Sequence, residues 1–182
     1  VVNHGDGFCA AAIAEAFKPD STIDSVVQAA LRYGDIAIMK EGDILSKVGA
    51  IGMKKAIIKC IGMAKECKDI WELRDRYDWH RGHWAAFGAG FMSMAFGMFY
   101  RANGDPKEAI IGGVNSGDDT IPHFAGGIAG AFKGVDAIPQ DWINTVEKAN
   151  PIPNLRQTAE KMCEVIKKRS AEIKEQRDRL QL

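Results

Sequence analysis

The stretch NSGDDTIPHFAGGIAGAFKG, residues 115–134, decides the fold of this protein. A polar turn, NSGDDT, leads directly into an apolar segment whose three internal glycines lie near one side of a helix. Small residues at this spacing let a second helix approach closely, and Gly134 is a natural C-cap. We therefore predict a helix over residues 119–132 that packs tightly against its neighbours.

The segments on either side of this stretch also have helical patterns. Residues 84–100, WAAFGAGFMSMAFGMFY, are apolar almost all round, which is typical of a buried central helix. A membrane span is the weaker alternative, because the run is short for one and contains three glycines. Periodicity and capping residues predict further helices over residues 7–17, 23–33, 53–67, 69–77 and 107–112, and a short one that starts at residues 139–142.

Residues 34–52 have a weaker pattern, with apolar side chains scattered among Gly, Asp and Lys, and we expect a loop with short helical turns there. No run of alternating β-branched residues occurs in the sequence. The expected fold class is therefore all-α, a multi-helix bundle. Because the chain begins with Val1 rather than methionine, and within what looks like a functional loop, we expect the bundle to be incomplete at its N-terminus.

A long charged segment, residues 154–182, follows the linker Asn150-Pro151-Ile152-Pro153. Its apolar residues are spaced by sevens and a four: Leu155, Met162, Ile166, Ile173 and Leu180. This spacing predicts a helix with a narrow apolar stripe, for which two interpretations are open. One is packing along the body of the domain, which we favour because the stripe covers few heptads, and the other is a short homodimer seam. We divide the chain into a helical domain, residues 1–150, and a linker with a charged helix, residues 151–182.

Charge and cysteine content limit the classes of partner and compartment. The chain has 24 basic and 24 acidic residues, so no overall field attracts nucleic acid or an anionic membrane, and we expect neither as a partner. The four cysteines show no CxxC pair and no zinc-ligand spacing, and neither a signal peptide nor a lipidation motif is recognisable. We therefore expect a cytoplasmic protein with reduced thiols that recognises its ligand locally.

Asp118, Asp119 and Thr120 are the first candidates for chemistry. Two adjacent carboxylates repel each other unless a cation or hydrogen-bond donors compensate them. Magnesium and calcium ions bind oxygen atoms of Asp, Thr and backbone carbonyls, so one tight turn with these residues can supply several ligands. The alternative is that Asp118 or Asp119 simply caps the helix, and spacing alone favours the cap.

Two other polar segments could contact a ligand. His4-Gly5-Asp6-Gly7 runs into the N-terminus of a predicted helix, where phosphate groups bind well, and a plain turn is the alternative. Residues 79–84, WHRGHW, combine aromatic rings, imidazoles and a guanidinium, so His83 is a candidate for contact with adenine or phosphate. The alternative is that the tryptophans anchor the helix that follows. We interpret His123 as a buried core histidine.

The turn and the helix after it resemble the C-terminal part of the ADP-ribosylglycohydrolase family. That family has a segment N-x-G-x-D-x-D-T-I-A-A-I-A-G-A-I-A-G-A, followed by a short loop and I-P-x-x-W; here residues 115–134 are followed by Ile138-Pro139-Gln140-Asp141-Trp142. Residues 104–110, GDPKEAI, are similar to the family's G-D-x-x-x-A-I segment, as are His4-Gly5-Asp6-Gly7 and the Ala-rich segment after them. The resemblance covers nearly the whole chain up to about Trp142.

This resemblance implies an all-helical domain that holds two magnesium ions. It implies hydrolysis of the bond between the anomeric carbon of ADP-ribose and an acceptor. The substrate is then either a protein modified on a side chain such as arginine or serine, or a small ADP-ribose conjugate. Asp118, Asp119 and Thr120 then become metal ligands, with the two aspartates also catalytic. Substrate contacts are expected at the following residues: His4, Gly5, Asp6, Gly7, His83, Asn115, Ser116 and Gly117.

The sequence departs from the family pattern at two points. Gly117 stands where the family has a ligating aspartate, so Asp118 would have to take that role. The family's other ligands lie in an N-terminal T-D-D type motif, which does not occur in this sequence, so that half of the site either was lost or lies on a segment absent from this chain. A catalytically impaired family member that binds ADP-ribose or a related nucleotide is therefore the alternative function.

Overall fold

The computed structural model of the protein describes the backbone of residues 5–40, 44–77 and 89–180, and the side chains of residues 5–39, 47–77 and 89–180. Within these ranges the chain forms nine α-helices and no strand, which confirms the all-α prediction. The helices are α1 (Gly5–Ala16), α2 (Ile23–Lys40), α3 (Ile44–Glu66), α4 (Ile70–Arg76), α5 (Ala89–Arg101), α6 (Pro106–Val114), α7 (Thr120–Lys133), α8 (Gln140–Ala149) and α9 (Leu155–Leu180).

Two compact units make up the chain, Val1–Ile138 and Pro139–Leu182. The first contains α1 to α7 and ends with a short 3-10 turn, Val135–Ala137. The second contains α8 and α9. The boundary expected from the sequence, between residues 150 and 151, lies within the second unit and stays a prediction.

The central helix of the first unit is α5, as its apolar sequence predicted. It packs against α3, α4, α6 and α7 and also contacts α1. Phe96 and Phe99 are fully buried, and burial of an aromatic side chain of this size contributes about 1.5–3 kcal/mol. The hydroxyl of Tyr77 donates to the carbonyl of Gly90 at 2.6 Å, so a polar group in this core has its partner. No helix in the described part of the chain combines the length and apolar character of a membrane span.

The prediction of a loop over residues 34–52 is wrong for the part that the structure describes. Helix α2 continues through Gly34 to Lys40, and α3 already begins at Ile44. Gly34 is buried where a Cβ would lie 2.7 Å from the ring of Phe8, so its lack of a side chain allows α1 to approach α2. Ala37 and Ala50 are also buried. Tertiary packing of small residues therefore outweighs their weak local pattern.

The cysteines are all free, and three of them behave as core residues. Cys9, Cys60 and Cys67 are buried, whereas Cys163 is exposed. Burial raises the pKa of the Cys60 thiol to about 12 and, together with the charge of Asp6, that of Cys9 to about 11. The buried thiols are therefore protonated at neutral pH and pack as small apolar groups.

Helix α9 confirms the prediction of a long charged helix after the linker. No residue of α9 is buried, and the apolar stripe is exposed along its whole length. The two interpretations of the stripe, packing along the body or a homodimer seam, both stay predictions at this point.

Candidate functional site

The turn between α6 and α7 begins with residues that end α6. Asn115 is the C-cap, and its Nδ2 donates to the carbonyl of Ile111 at 2.9 Å. The hydroxyl of Ser116 donates to the carbonyl of Gly112 at 2.9 Å. Gly117 follows with a φ of +83°, a left-handed conformation that glycine adopts without strain. The predicted substrate-binding residues Asn115, Ser116 and Gly117 therefore have local structural roles, and their contact with a ligand stays a prediction.

Close packing of α6 against α7 holds this turn in place. A Cβ on Gly113 would lie 2.7 Å from the Cα of Pro122, so only glycine fits between the two backbones. One turn further along α7, a Cβ on Gly126 would lie 2.9 Å from the side chain of Ile110. The predicted close approach at the glycines of α7 is thus found at Gly126. At Gly127 and Gly130 the nearest side-chain atoms would be at ordinary van der Waals distances, 4.0 and 3.9 Å.

Asp118 is the residue that caps α7. Its Oδ1 accepts the backbone N–H of Thr120 at 2.6 Å and that of Ile121 at 3.1 Å. These are N–H groups of the first turn, which have no carbonyl partner within the helix. The capping interpretation of the sequence is therefore correct for Asp118, whose side chain is half-buried.

Asp119 has a different role from its neighbour. It occupies the position directly before α7, but its side chain makes no capping hydrogen bond. Its Oδ1 accepts the hydroxyl of Thr120 at 3.3 Å, and the residue is exposed. The carboxylate of Asp119 is therefore available to a ligand, next to a hydroxyl oxygen and at the positive end of the α7 dipole.

The oxygen atoms of this turn are of the chemical type that magnesium binds. The carboxylate of Asp119, the hydroxyl of Thr120 and the oxygen of Asp118 that is not used in the cap are hard donors of the type this ion binds. The described part of the chain contains no group of three or more His, Cys, Asp or Glu side chains placed to share a metal ion. Because magnesium requires near-octahedral coordination, these three residues would hold it together with further ligands or water.

The second predicted contact region lies at the start of α1, which begins at Gly5 rather than at Gly7. Asp6 is exposed in the first turn, where a carboxylate is favoured by the helix dipole. Gly5 is buried. A Cβ on Gly7 would clash with the ring of Tyr33, so this glycine allows α2 to pack closely on α1.

Three further predictions have different outcomes. His4 and the segment 79–84 with His83 lie outside the described residues, and their contacts stay predictions. His123 is exposed, so its interpretation as a buried core histidine is wrong. Its ring contacts that of Phe124 with centroids 5.3 Å apart, and its backbone N–H donates to the carbonyl of Asp119 at 3.4 Å. The helical spacing of four from Asp119 was the signal that places His123 one turn above the candidate ligands.

Comparison with known proteins identifies the family. The ADP-ribosylglycohydrolase family model matches residues 2–175 of the 182-residue chain. The match includes the α6–α7 turn, the start of α1 and most of α9. No match was found among curated proteins or among solved structures. The match covers almost the whole sequence and agrees with the all-α structure, so this chain belongs to the ADP-ribosylglycohydrolase family, which supports a hydrolase that acts on ADP-ribose linkages.

Proposed function

We propose that the protein catalyses the magnesium-dependent hydrolysis of the glycosidic bond between ADP-ribose and an acceptor. The acceptor is the side chain of a modified protein or the leaving group of a small ADP-ribose conjugate. Family membership over residues 2–175 is the observation that carries this proposal. The carboxylate of Asp119, exposed and without a capping role, supports it at the level of the site.

Two magnesium ions, when bound, would orient the ribose hydroxyls and lower the pKa of a water molecule near the anomeric carbon. Asp118, Asp119 and Thr120 are the residues of this chain that we assign to hold them. Asp119 has a carboxylate that can accept the proton of the attacking water, because no backbone N–H group occupies it. Asp118 keeps the turn in position through its two bonds to α7 and offers its second oxygen to the site.

The start of α1 is the proposed site of contact with the diphosphate or the ribose of ADP-ribose. In the first turn of a helix the backbone N–H groups have no carbonyl partner within the helix, and the dipole favours an anion there. Asp6 and Gly7 are in that turn. His4 and His83 are assigned to the same ligand from the sequence alone.

The test measures release of free ADP-ribose by the purified protein. Substrates are ADP-ribosyl-arginine, a serine-ADP-ribosylated peptide and a small ADP-ribose ester, each with magnesium and with EDTA. Release is expected with magnesium, and Asp119→Ala should abolish it. Asp136→Ala, which removes an exposed aspartate from the 3-10 turn instead, is the matched control and should retain activity. If none of the three substrates releases ADP-ribose under either condition, the hydrolase proposal fails.

A catalytically impaired protein that binds ADP-ribose is the second candidate, and one observation favours it. Asp118 takes the place of a family ligand that should stand at position 117, yet one of its oxygens is committed to the cap of α7. This candidate predicts calorimetric binding of ADP-ribose that is the same with magnesium and with EDTA, and no turnover. Binding that requires magnesium would contradict it.

A further inference from the structure

The apolar stripe of α9 is a continuous exposed surface. The side chains along it are between 49% exposed, at Leu155, and 69% exposed, at Leu180. Val165 lies beside the stripe and is 60% exposed, which widens the apolar surface. The helix has 26 residues, just under four heptads, and its exposed apolar side chains form one row along it instead of standing singly on the surface.

The spacing of the stripe defines a heptad register. Positions a and d of a coiled coil are the two that face the partner helix. With Ile166 at position a, the a residues are Ala159, Ile166, Ile173 and Leu180. The d residues are then Leu155, Met162, Arg169 and Gln176. All the a positions are apolar and two of them are isoleucine, a β-branched residue that is typical of position a in parallel two-stranded coiled coils.

The charges beside the stripe favour a second copy in parallel orientation. In a parallel pair, a residue at position g faces the residue five positions later, at e, on the partner. Glu172 is at g and Arg177 at e, so each copy presents a carboxylate to the guanidinium of the other. Neither residue has an ion-pair partner among the described residues, whereas Glu175 nearby already pairs with Arg179 at 2.6 Å. A fully overlapping antiparallel pair would instead place Arg156 opposite Arg177, which is repulsive.

Arg169 is the least favourable residue in this register. In a parallel pair it would face its own copy at position d, where its apolar stem can lie over Ile166 and Ile173 of the partner while the guanidinium reaches water. Gln176 at the next d position can form a hydrogen bond with its copy. Polar residues at core positions lower the stability of a coiled coil and fix its register. The seam therefore fits a weak, concentration-dependent association.

We propose that the protein forms a homodimer through a parallel two-stranded coiled coil of α9. The proposal does not depend on the hydrolase activity, because α9 contains none of the residues assigned to the site. It chooses the second of the two interpretations of the stripe, on the ground of the heptad register and of charge complementarity.

Analytical ultracentrifugation of the whole chain over a concentration series tests the association. A monomer–dimer equilibrium is expected, and Ile166→Glu should weaken it by about a hundredfold, since it places two carboxylates in the seam. Ala171→Glu adds the same charge at an exposed position on the opposite side of α9 and should leave the equilibrium unchanged. A chain that stays monomeric at all concentrations, or a dimer that Ile166→Glu does not affect, overturns the proposal.

Charge reversal tests the orientation. Glu172→Arg should weaken the dimer roughly tenfold, because two attractive pairs become repulsive. The double variant Glu172→Arg, Arg177→Glu should restore it. In the antiparallel arrangement Arg177→Glu alone would strengthen the dimer, since it removes the repulsion with Arg156. That result contradicts the parallel seam.

Disulfide formation gives a second measure of orientation, which reports directly which residues of the two helices face each other. In a Cys163→Ser background, Met162→Cys places thiols at facing d positions, close enough for a disulfide in the parallel pair. Cross-linked dimer is expected in a glutathione redox buffer, and none from Ala171→Cys in the same background. Absence of the cross-link from Met162→Cys, at a concentration where the dimer sediments, overturns the parallel arrangement.

Discussion

Asp118 and Asp119 are neighbours in the sequence, but the structure predicts that replacing Asp118 by alanine lowers stability, whereas replacing Asp119 changes stability little. Asp118→Ala removes the acceptor of two backbone N–H groups, at 2.6 and 3.1 Å from Oδ1. Loss of a helix N-cap of this kind costs about 1–2 kcal/mol. For a chain of 182 residues, each 1 kcal/mol lowers Tm by about 2–4 °C, so a decrease of about 2–8 °C is expected.

Asp119→Ala should change stability little, because its side chain makes no capping hydrogen bond and the residue is exposed. The expected change in the free energy of unfolding is within about 0.5 kcal/mol. Its effect should instead be on the release of ADP-ribose. The matched control for Asp118→Ala is Asp118→Asn, since the amide oxygen can accept the same two N–H groups and asparagine is as good a cap as aspartate.

The assay is thermal and urea unfolding of the wild type and the three variants, followed by circular dichroism, together with the ADP-ribose release assay. Asp118→Asn should retain stability but lose activity if the negative charge is needed at the site. Equal losses of stability from Asp118→Ala and Asp119→Ala would refute the assignment of the cap to Asp118. A loss of stability in Asp118→Asn as large as that in Asp118→Ala would refute it as well.

Three further outcomes are expected elsewhere in the chain. Gly97→Ala should lower the free energy of unfolding by about 1–3 kcal/mol, since its Cβ would lie 2.5 Å from the buried sulfur of Cys60. Gly62→Ala, where a Cβ meets open space within α3, should raise that free energy by about 0.5–1 kcal/mol, and urea titrations compare the two variants. Of the four thiols, only that of Cys163 should react with Ellman's reagent in the native protein, and all four in urea; rapid reaction of more than one native thiol would contradict the burial of the others. The hydrogen bond from the backbone N–H of Lys68 lowers the pKa of Glu72, so the stability that this group contributes is present above the ordinary glutamate pKa and is lost as pH falls through the lowered one. The difference in Tm between the wild type and Glu72→Gln should therefore be larger at pH 7 than at pH 3, and an equal difference at both would show that ionisation is not its cause.

The amino-acid sequence by itself determined the class of the fold and the position of the candidate site. An apolar run as uniform as that of α5 has no stable place except the centre of a helical bundle, because every face of the helix must be covered. The turn at residues 115–120 was recognisable since glycine, asparagine and two aspartates are residues that end one helix and begin another. The same motif, with the glycine-containing helix after it, indicated the family.

Tertiary structure alone decided which residue has which role. Spacing could not tell whether Asp118 or Asp119 caps α7, because that depends on the backbone angles of the turn, which Gly117 sets with its positive φ. The helical state of residues 34–40 and the close contact at Gly7 both depend on how α1 packs against α2, and this pairing joins residues far apart in the sequence. The exposure of His123 also depends on tertiary packing, since it follows from which face of α7 lies against α1, α5 and α6. Local patterns report what a segment can form, and only packing between segments determines which face is covered and which is left for a ligand.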